Sequence, residues 1–165
     1  MELLKVVLLV VLVQVATATA AAQEDDYDYE DNHSGGFGEV YSWQPSLAEA
    51  IVQGKRQNRP VMLIVHKTWC ARSSELKKII GNSKAIQKKS RNFIMVNTTD
   101  DNEGNNIDIS PDGIYFPRVI FIAGGKVMKG ITNPESDFAY YHNKEKTILD
   151  AMNTVLNKLK PRKRV

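Results

Sequence analysis

The sequence predicts an α/β domain in which helices flank a β-sheet. Three observations carry that prediction. Apolar runs of strand length, Val61 to Val65, Phe93 to Val96 and Val119 to Ile122, alternate with stretches of helical periodicity. The turn Ala123-Gly124-Gly125-Lys126 sends the chain back after the last run as a hairpin. Near the end, Ile148, Ala151, Met152, Val155, Leu156 and Leu159 recur at helical spacing, the stripe of a helix laid on a core.

The chain has 165 residues, enough for one domain with a sizeable core. Its net charge of +3 is too mild to mark a nucleic-acid-binding protein. The charge is uneven, acidic near the N-terminus and basic at the C-terminus.

Met1 to Ala22 reads as a secretory signal peptide, with Lys5 before the apolar run Val6 to Val13 and small residues around Ala18-Thr19-Ala20. The apolar run is too short to span a bilayer, and no membrane span is expected. Residues 23–36 form an acidic linker, expected to be disordered. Tyr27 and Tyr29, set between carboxylates, are sulfation candidates, although a solvated spacer is the plainer reading. Asn32-His33-Ser34 and Asn97-Thr98-Thr99 are glycosylation sequons, and Asn32 is the better candidate.

The domain is expected over residues 37–160, with a basic tail at 161–165. Ser46 caps a helix carrying Leu47, Ala50 and Ile51, with Glu49 at the capping-box position, running to about Asn58. Arg59-Pro60 opens the first strand. A helix after Cys70 carries Leu76, Ile79 and Ile80 and ends at Gly81-Asn82. Ser83 starts another, with Ala85 and Ile86 inward and Lys84, Lys88 and Lys89 toward water. The strand Phe93 to Val96 leads to a polar loop, Thr98 to Ile109. Its carboxylates Asp100, Asp101, Glu103 and Asp108 do not fit a calcium-loop pattern, so no metal site is expected. Ser110-Pro111-Asp112-Gly113 is a turn. Pro117 stands at the mouth of the third strand, where proline fits at the first position or in a cis peptide. Lys126 to Ile131 is the returning strand. Asn133 to Asn143 is a loop carrying Phe138, Tyr140 and Tyr141, and the last helix spans about Lys144 to Lys160.

Chemistry concentrates at Trp69-Cys70-Ala71-Arg72-Ser73. A strand, a polar elbow and a helix lift the Cys70 sulfur to a helix N-terminus. There unpaired N–H groups and the macrodipole favour an anion and lower a thiol's pKa. Arg72 and Lys67 add positive charge nearby. Cys70 is the only cysteine in the sequence. In a secreted chain such a residue is either a free thiol or one half of an intermolecular bond, a homodimer included. Ser73 holds the position of a second redox cysteine, so no internal disulfide can form. A buried structural cysteine is the plainer alternative.

The segments Gly36-Phe37-Gly38, His66-Lys67-Thr68-Trp69-Cys70, Phe93-Ile94-Met95-Val96-Asn97, Ser110-Pro111-Asp112-Gly113 and Tyr115-Phe116-Pro117-Arg118 carry a resemblance. Over about residues 36–160 the chain resembles the small endoplasmic-reticulum thioredoxin-like family that includes the anterior gradient proteins and thioredoxin domain-containing protein twelve. The resemblance implies a thioredoxin-like fold, a central mixed β-sheet flanked by helices. It implies an active cysteine at Cys70 and a cis-proline at Pro117, set opposite each other. It further implies a client groove formed by Trp69, Arg72, Phe116 and Pro117. In it the Phe116 backbone pairs with an extended client, and Pro117 shields the sulfur from metal ions. The dithiol members carry a cysteine where this chain has Ser73; anterior gradient members carry Cys-x-x-Ser, as here. The family's KDEL-like retrieval tetrapeptide is replaced by Arg-Lys-Arg-Val, which favours secretion over residence in the endoplasmic-reticulum lumen.

Two functions follow as expectations. In the first, the protein is a monothiol isomerase or client-folding factor, with Cys70 and Ser73 as its catalytic pair and no cofactor. It is then not a dithiol oxidoreductase. In the second, it is a secreted, non-catalytic binding protein acting through a cell-surface partner, in development or regeneration. Its partners are client or receptor proteins, not nucleic acid.

Overall fold

The computed structural model describes residues 33–99 and 112–160. The signal segment, the acidic stretch through Asp31, the Asn32 sequon position, residues 100–111 (Ser110 and Pro111 among them) and the tail 161–165 lie outside the described residues. In chain order the elements are α1 (Leu47–Gln57), β1 (Val61–His66), α2 (Ala71–Asn82), α3 (Lys84–Ser90), β2 (Ile94–Thr99), β3 (Arg118–Ala123), β4 (Lys126–Val127) and α4 (Glu145–Leu159). The sheet has the order β2-β1-β3-β4. β1 runs parallel to β2 and antiparallel to β3, so the sheet is mixed.

All six residues of β1 are buried, as a central strand covered on both faces requires. Alternation along the strands sorts the core into two layers. Met62, Ile64, Met95, Val119 and Phe121 face α2–α4 through Leu76, Ile80, Ile86, Ile148 and Met152. Val61, Leu63, Val65, Val96, Ile120 and Ile122 face Leu47 and Ala50 of α1, with Tyr140 beside them. The outer edge of β2 is covered where Trp43 bridges Met95, with the Gln44 N–H bonded to the Met95 carbonyl at 2.9 Å.

The caps are as the sequence predicts. Ser46 Oγ accepts the Glu49 N–H at 3.2 Å, and Asn58 ends α1 in the left-handed region at φ 50°. Ser83 closes α2 and caps α3, accepting the Ile86 N–H at 3.0 Å.

Several expectations are corrected. β1 and β2 run on to His66 and Thr99, because those two residues still pair across the parallel ladder. The returning strand is only Lys126–Val127. Beyond it the Met128 N–H bonds the Phe121 carbonyl, and the Ile131 N–H then turns back to Met128 at 2.9 Å. In α3 the buried stripe is Ser83, Ile86 and Ser90; Ala85 lies off that stripe and faces water. Leu159, in the last turn of α4, is 43% exposed. The aromatics of the 133–143 loop divide: Tyr140 is buried, whereas Phe138 is exposed and packs on Tyr115 at 4.7 Å.

Residues 33–36, expected to end a disordered linker, instead form a turn on the domain. The Phe37 N–H closes on the Ser34 carbonyl at 2.9 Å, and the Asn97 amide donates to the His33 carbonyl at 2.7 Å. Gly35 makes this approach possible. Its φ is +53°, and a Cβ there would stand 2.2 Å from Asn97 Oδ1.

Candidate functional site

The C-terminal end of β1 delivers Lys67 to Cys70 into a tight elbow, the Cys70 N–H bonding the Lys67 carbonyl at 3.3 Å. Cys70 is the N-cap of α2 and stands in extended backbone. Its carbonyl accepts the Ser74 N–H at 3.1 Å. The sulfur is half-buried and free. Burial pushes its pKa up, but the Ser73 N–H and hydroxyl, the Arg72 N–H and the Arg72 charge outweigh burial and hold it below its ordinary value.

Ser73 is fully buried. Its hydroxyl oxygen accepts the Lys67 N–H at 3.2 Å while the same group supports the Cys70 sulfur. Ser73 thus ties the elbow to the helix as well as stabilising the thiolate. Arg72 is exposed and pairs with Glu75 at 3.4 Å, so its charge on the sulfur acts through solvent. Lys67 stands on the Phe116 side of the site. It is buried, and its ammonium lies 5.1 Å from the centre of the Phe116 ring.

Opposite the sulfur stands the Phe116–Pro117 peptide, which is cis. Cys70 Sγ is 3.9 Å from the Phe116 carbonyl oxygen. Pro117 is buried and Phe116 half-buried. Trp69, beside Cys70, is 78% exposed. The structure thus brings Cys70, Ser73, Phe116 and Pro117 together, with Arg72 and Trp69 on the rim. The glycosylation candidates lie apart. Asn97 sits in β2 with Oδ1 toward His66 at 3.2 Å and its amide nitrogen on His33. A glycan there would have to displace the turn at residues 33–36.

The sequence reading missed what holds the Phe116–Pro117 loop in place. Arg118, at the head of β3, is fully buried. It donates to the Gly113 carbonyl at 3.2 Å, and its guanidinium lies 5.8 and 5.5 Å from the Tyr115 and Phe116 rings. Burial lowers its pKa, opposed by the electrostatic pull of Tyr115 and Asp112. The Tyr115 hydroxyl donates to Asp112 at 2.6 Å and accepts the Tyr140 N–H at 2.8 Å. Asp112 also accepts the Ala139 N–H at 3.0 Å. The loop from Asp112 to Pro117 is therefore tied to the 139–140 segment by polar groups. The available signal was an arginine directly heading a buried strand, where a charge requires partners.

His142 lies in the same loop system and is 1% exposed. Neither ring nitrogen makes a well-formed hydrogen bond among the described residues. Burial, opposed by the Thr147 backbone, pushes its pKa down to about 4.

Comparison with known proteins places this arrangement. A family profile described as thioredoxin-like matches residues 42–124. The chain is 33% identical to the human anterior gradient protein 2 homolog over 130 residues, covering 77% of this chain and 73% of the relative. It is 36% identical to anterior gradient protein 3 of Xenopus tropicalis over 90 residues, covering 54% of each. Among solved structures, a thioredoxin from Thermus thermophilus superposes with a TM-score of 0.53 at 14% identity, over 73% of this chain and 91% of that one. That likeness speaks for the fold alone. Among the described residues no helix is long and apolar enough to cross a membrane.

Proposed function

We propose, for a chain that belongs to the anterior gradient family of thioredoxin-like proteins, that it serves client proteins of the secretory pathway as a monothiol, through Cys70. The observation that carries this reading is the setting of the sulfur. It is half-exposed at the head of α2, lowered in pKa, and 3.9 Å from the Phe116 carbonyl before a cis-proline. The Cys70 thiolate attacks one sulfur of a client disulfide. A Cys70–client bond forms, the client bond breaks, and the second client sulfur leaves as a thiolate that takes up a proton. Ser73 cannot attack that mixed disulfide. A client thiolate does so, forming a new client disulfide and releasing Cys70 as thiolate. The cycle rearranges disulfides with no net oxidation. Arg72 and Ser73 hold the anion, while Trp69, Phe116 and Pro117 line the client's path.

The exposure of Trp69 also favours a second reading, a secreted protein that binds a cell-surface partner without using Cys70. One experiment separates the two. The protein and its Cys70→Ser variant are expressed in cells, thiols are blocked, and lysate and medium are run on non-reducing gels with mass spectrometry. Client adducts that vanish in the variant support the monothiol reading. Protein in the medium with a free Cys70, no adducts, and partner binding lost in Trp69→Ala supports the second.

A further inference from the structure

A concave groove of about 570 Å³ opens at the N-terminal ends of β1 and β2, among the end of α1, the face of α3 and the segment before α1. Cys70 lies past the opposite end of β1, roughly 20 Å away at the ~3.3 Å rise of a strand residue. The groove therefore stands apart from the thiol site. Its cationic lining is Arg59, Lys84, Lys88 and Arg91, and no carboxylate lines it among the described residues. Lys84, Lys88 and Arg91 are spaced i, i+4 and i+7, which sets them along one side of α3 and its C-cap. All three are exposed, and none has an ion-pair partner among the described residues. Arg59 is fixed. Its Nη2 donates to the Arg91 carbonyl at 2.7 Å and also to the Phe93 carbonyl, and its Nη1 donates to Gln57 at 2.9 Å. Four cations round a cavity with no acid to balance them leave a site complementary to a polyanion.

The rest of the lining narrows the class. Gln44 and Gln87 bring side-chain amides between the cations. The Gln87 nitrogen donates to the Gly81 carbonyl at 3.0 Å and leaves its oxygen to accept, whereas Gln57 is engaged at both ends by Gln53 and Arg59. Nothing resembles the deep apolar pocket that anchors a peptide side chain: the apolar members Phe93, Ile94 and Met95 are themselves buried in the core, and Val40 is a single exposed aliphatic side chain. No aromatic side chain lies exposed there as a platform for a base, the ring of Tyr41 being buried with its hydroxyl on the Ile80 carbonyl at 2.6 Å. Sulfate groups spaced along a sugar chain meet the cations, and the sugar hydroxyls meet the amides. We propose that this groove binds a sulfated glycan of the extracellular matrix, independently of Cys70.

The test measures binding of a fluorescent heparin-derived hexasaccharide to the full-length protein by anisotropy. The variants are Lys84→Ala/Lys88→Ala/Arg91→Ala in the groove, Lys78→Ala/Lys126→Ala/Lys158→Ala elsewhere, and Arg162→Ala/Lys163→Ala/Arg164→Ala in the tail. The expected result is binding that weakens with added salt and falls at least tenfold in the groove variant. The other two variants change it by less than threefold, and completely desulfated heparin does not bind. A charge-reversed pair, Lys88→Glu/Arg91→Glu, should abolish binding while keeping the parent's urea midpoint. Absence of binding overturns the proposal. So does an equal loss in all three variants, which would reduce it to net charge, and so does a loss confined to the tail variant. Equal or tighter binding of polyglutamate or single-stranded DNA of matched charge would assign the groove to another class of polyanion and overturn the glycan.

Discussion

The two ends of β1 handle charge in opposite ways. At its C-terminal end the polar groups are inside: Lys67, Ser73 and Arg118 are buried around the elbow and the Phe116–Pro117 loop, and His142 is buried in the 133–143 segment that follows the sheet. At its N-terminal end Lys84, Lys88 and Arg91 stand in water, and only Arg59 is held by the backbone. A buried polar group must be matched by partners or it costs several kcal/mol, so its position is dictated by the whole fold. An exposed cation carries no such requirement. One end is thus a geometry and the other a field. The first is sensitive to single atoms, while the second responds to the number of charges and to salt.

If that contrast holds, the largest single effect belongs to Arg118. Removing it in Arg118→Ala unpairs the Gly113 carbonyl, removes a buried cation that acts electrostatically on Asp112, and opens a void beside the Tyr115 and Phe116 rings. A loss of about 3–5 kcal/mol is expected in urea denaturation. Cys70 alkylation should also speed up, because the loop that sets the Phe116 carbonyl 3.9 Å from the sulfur is no longer held over it. A loss under 1 kcal/mol would mean that the loop is held by Tyr115 and Asp112 alone.

Next comes His142, whose effect appears only with pH. Its folded pKa of about 4 lies below the ordinary 6.5, so the unfolded chain binds more protons between those values. Stability from this group is therefore complete above about pH 7 and is lost as pH falls through 6.5 toward 4. The loss is about 2 kcal/mol at pH 5 and about 3 kcal/mol below pH 4. Urea midpoints of the parent and His142→Leu, measured from pH 7.5 to 4.5, give the difference. Parallel curves would remove His142 from the buried set.

The same contrast explains what the sequence could and could not tell. The helices, their Ser46 and Ser83 caps and the three long strands follow from local patterning, which short stretches carry. Cys70 and Pro117 were legible because their motifs are contiguous, and their closeness followed from the family resemblance. Tyr115 and Asp112 were not, because they pair with the 139–140 segment, more than twenty residues away, and the role of Arg118 shows only once the loop they hold folds back over its guanidinium. The groove was hidden for the same reason. The lysines of α3 read as an ordinary solvated face, and the concavity exists only once Arg59 and β2 arrive beside them. Ala85 misled because periodicity gives the stripe but not its edge, and Ser83 and Ser90 took the buried positions.

Ser73→Ala is expected to give a smaller effect, and one that separates positioning from general stability. The variant loses the hydroxyl that accepts the Lys67 N–H and supports the sulfur. Leaving that N–H unpaired costs about 1–2 kcal/mol. The pH midpoint of Cys70 alkylation should rise toward that of a free thiol, because burial then meets less opposition. Ser73→Thr keeps the hydroxyl, and rescue of the midpoint without full rescue of stability would assign the pKa effect to that oxygen. An unchanged midpoint in Ser73→Ala would pass the thiolate's support to the α2 backbone N–H groups and the Arg72 charge.

The smallest change in stability is expected at the other end. Neutralising Lys84, Lys88 and Arg91 together removes exposed charges that have no ion-pair partner among the described residues, so stability should move by no more than about 0.5 kcal/mol in either direction. Mutual repulsion among the three makes a slight gain the expected sign, and added salt should erase it by screening them in the parent. A loss above 1 kcal/mol, insensitive to salt, would mean that these side chains pack rather than project a field, and the contrast between the two ends of β1 would fail there.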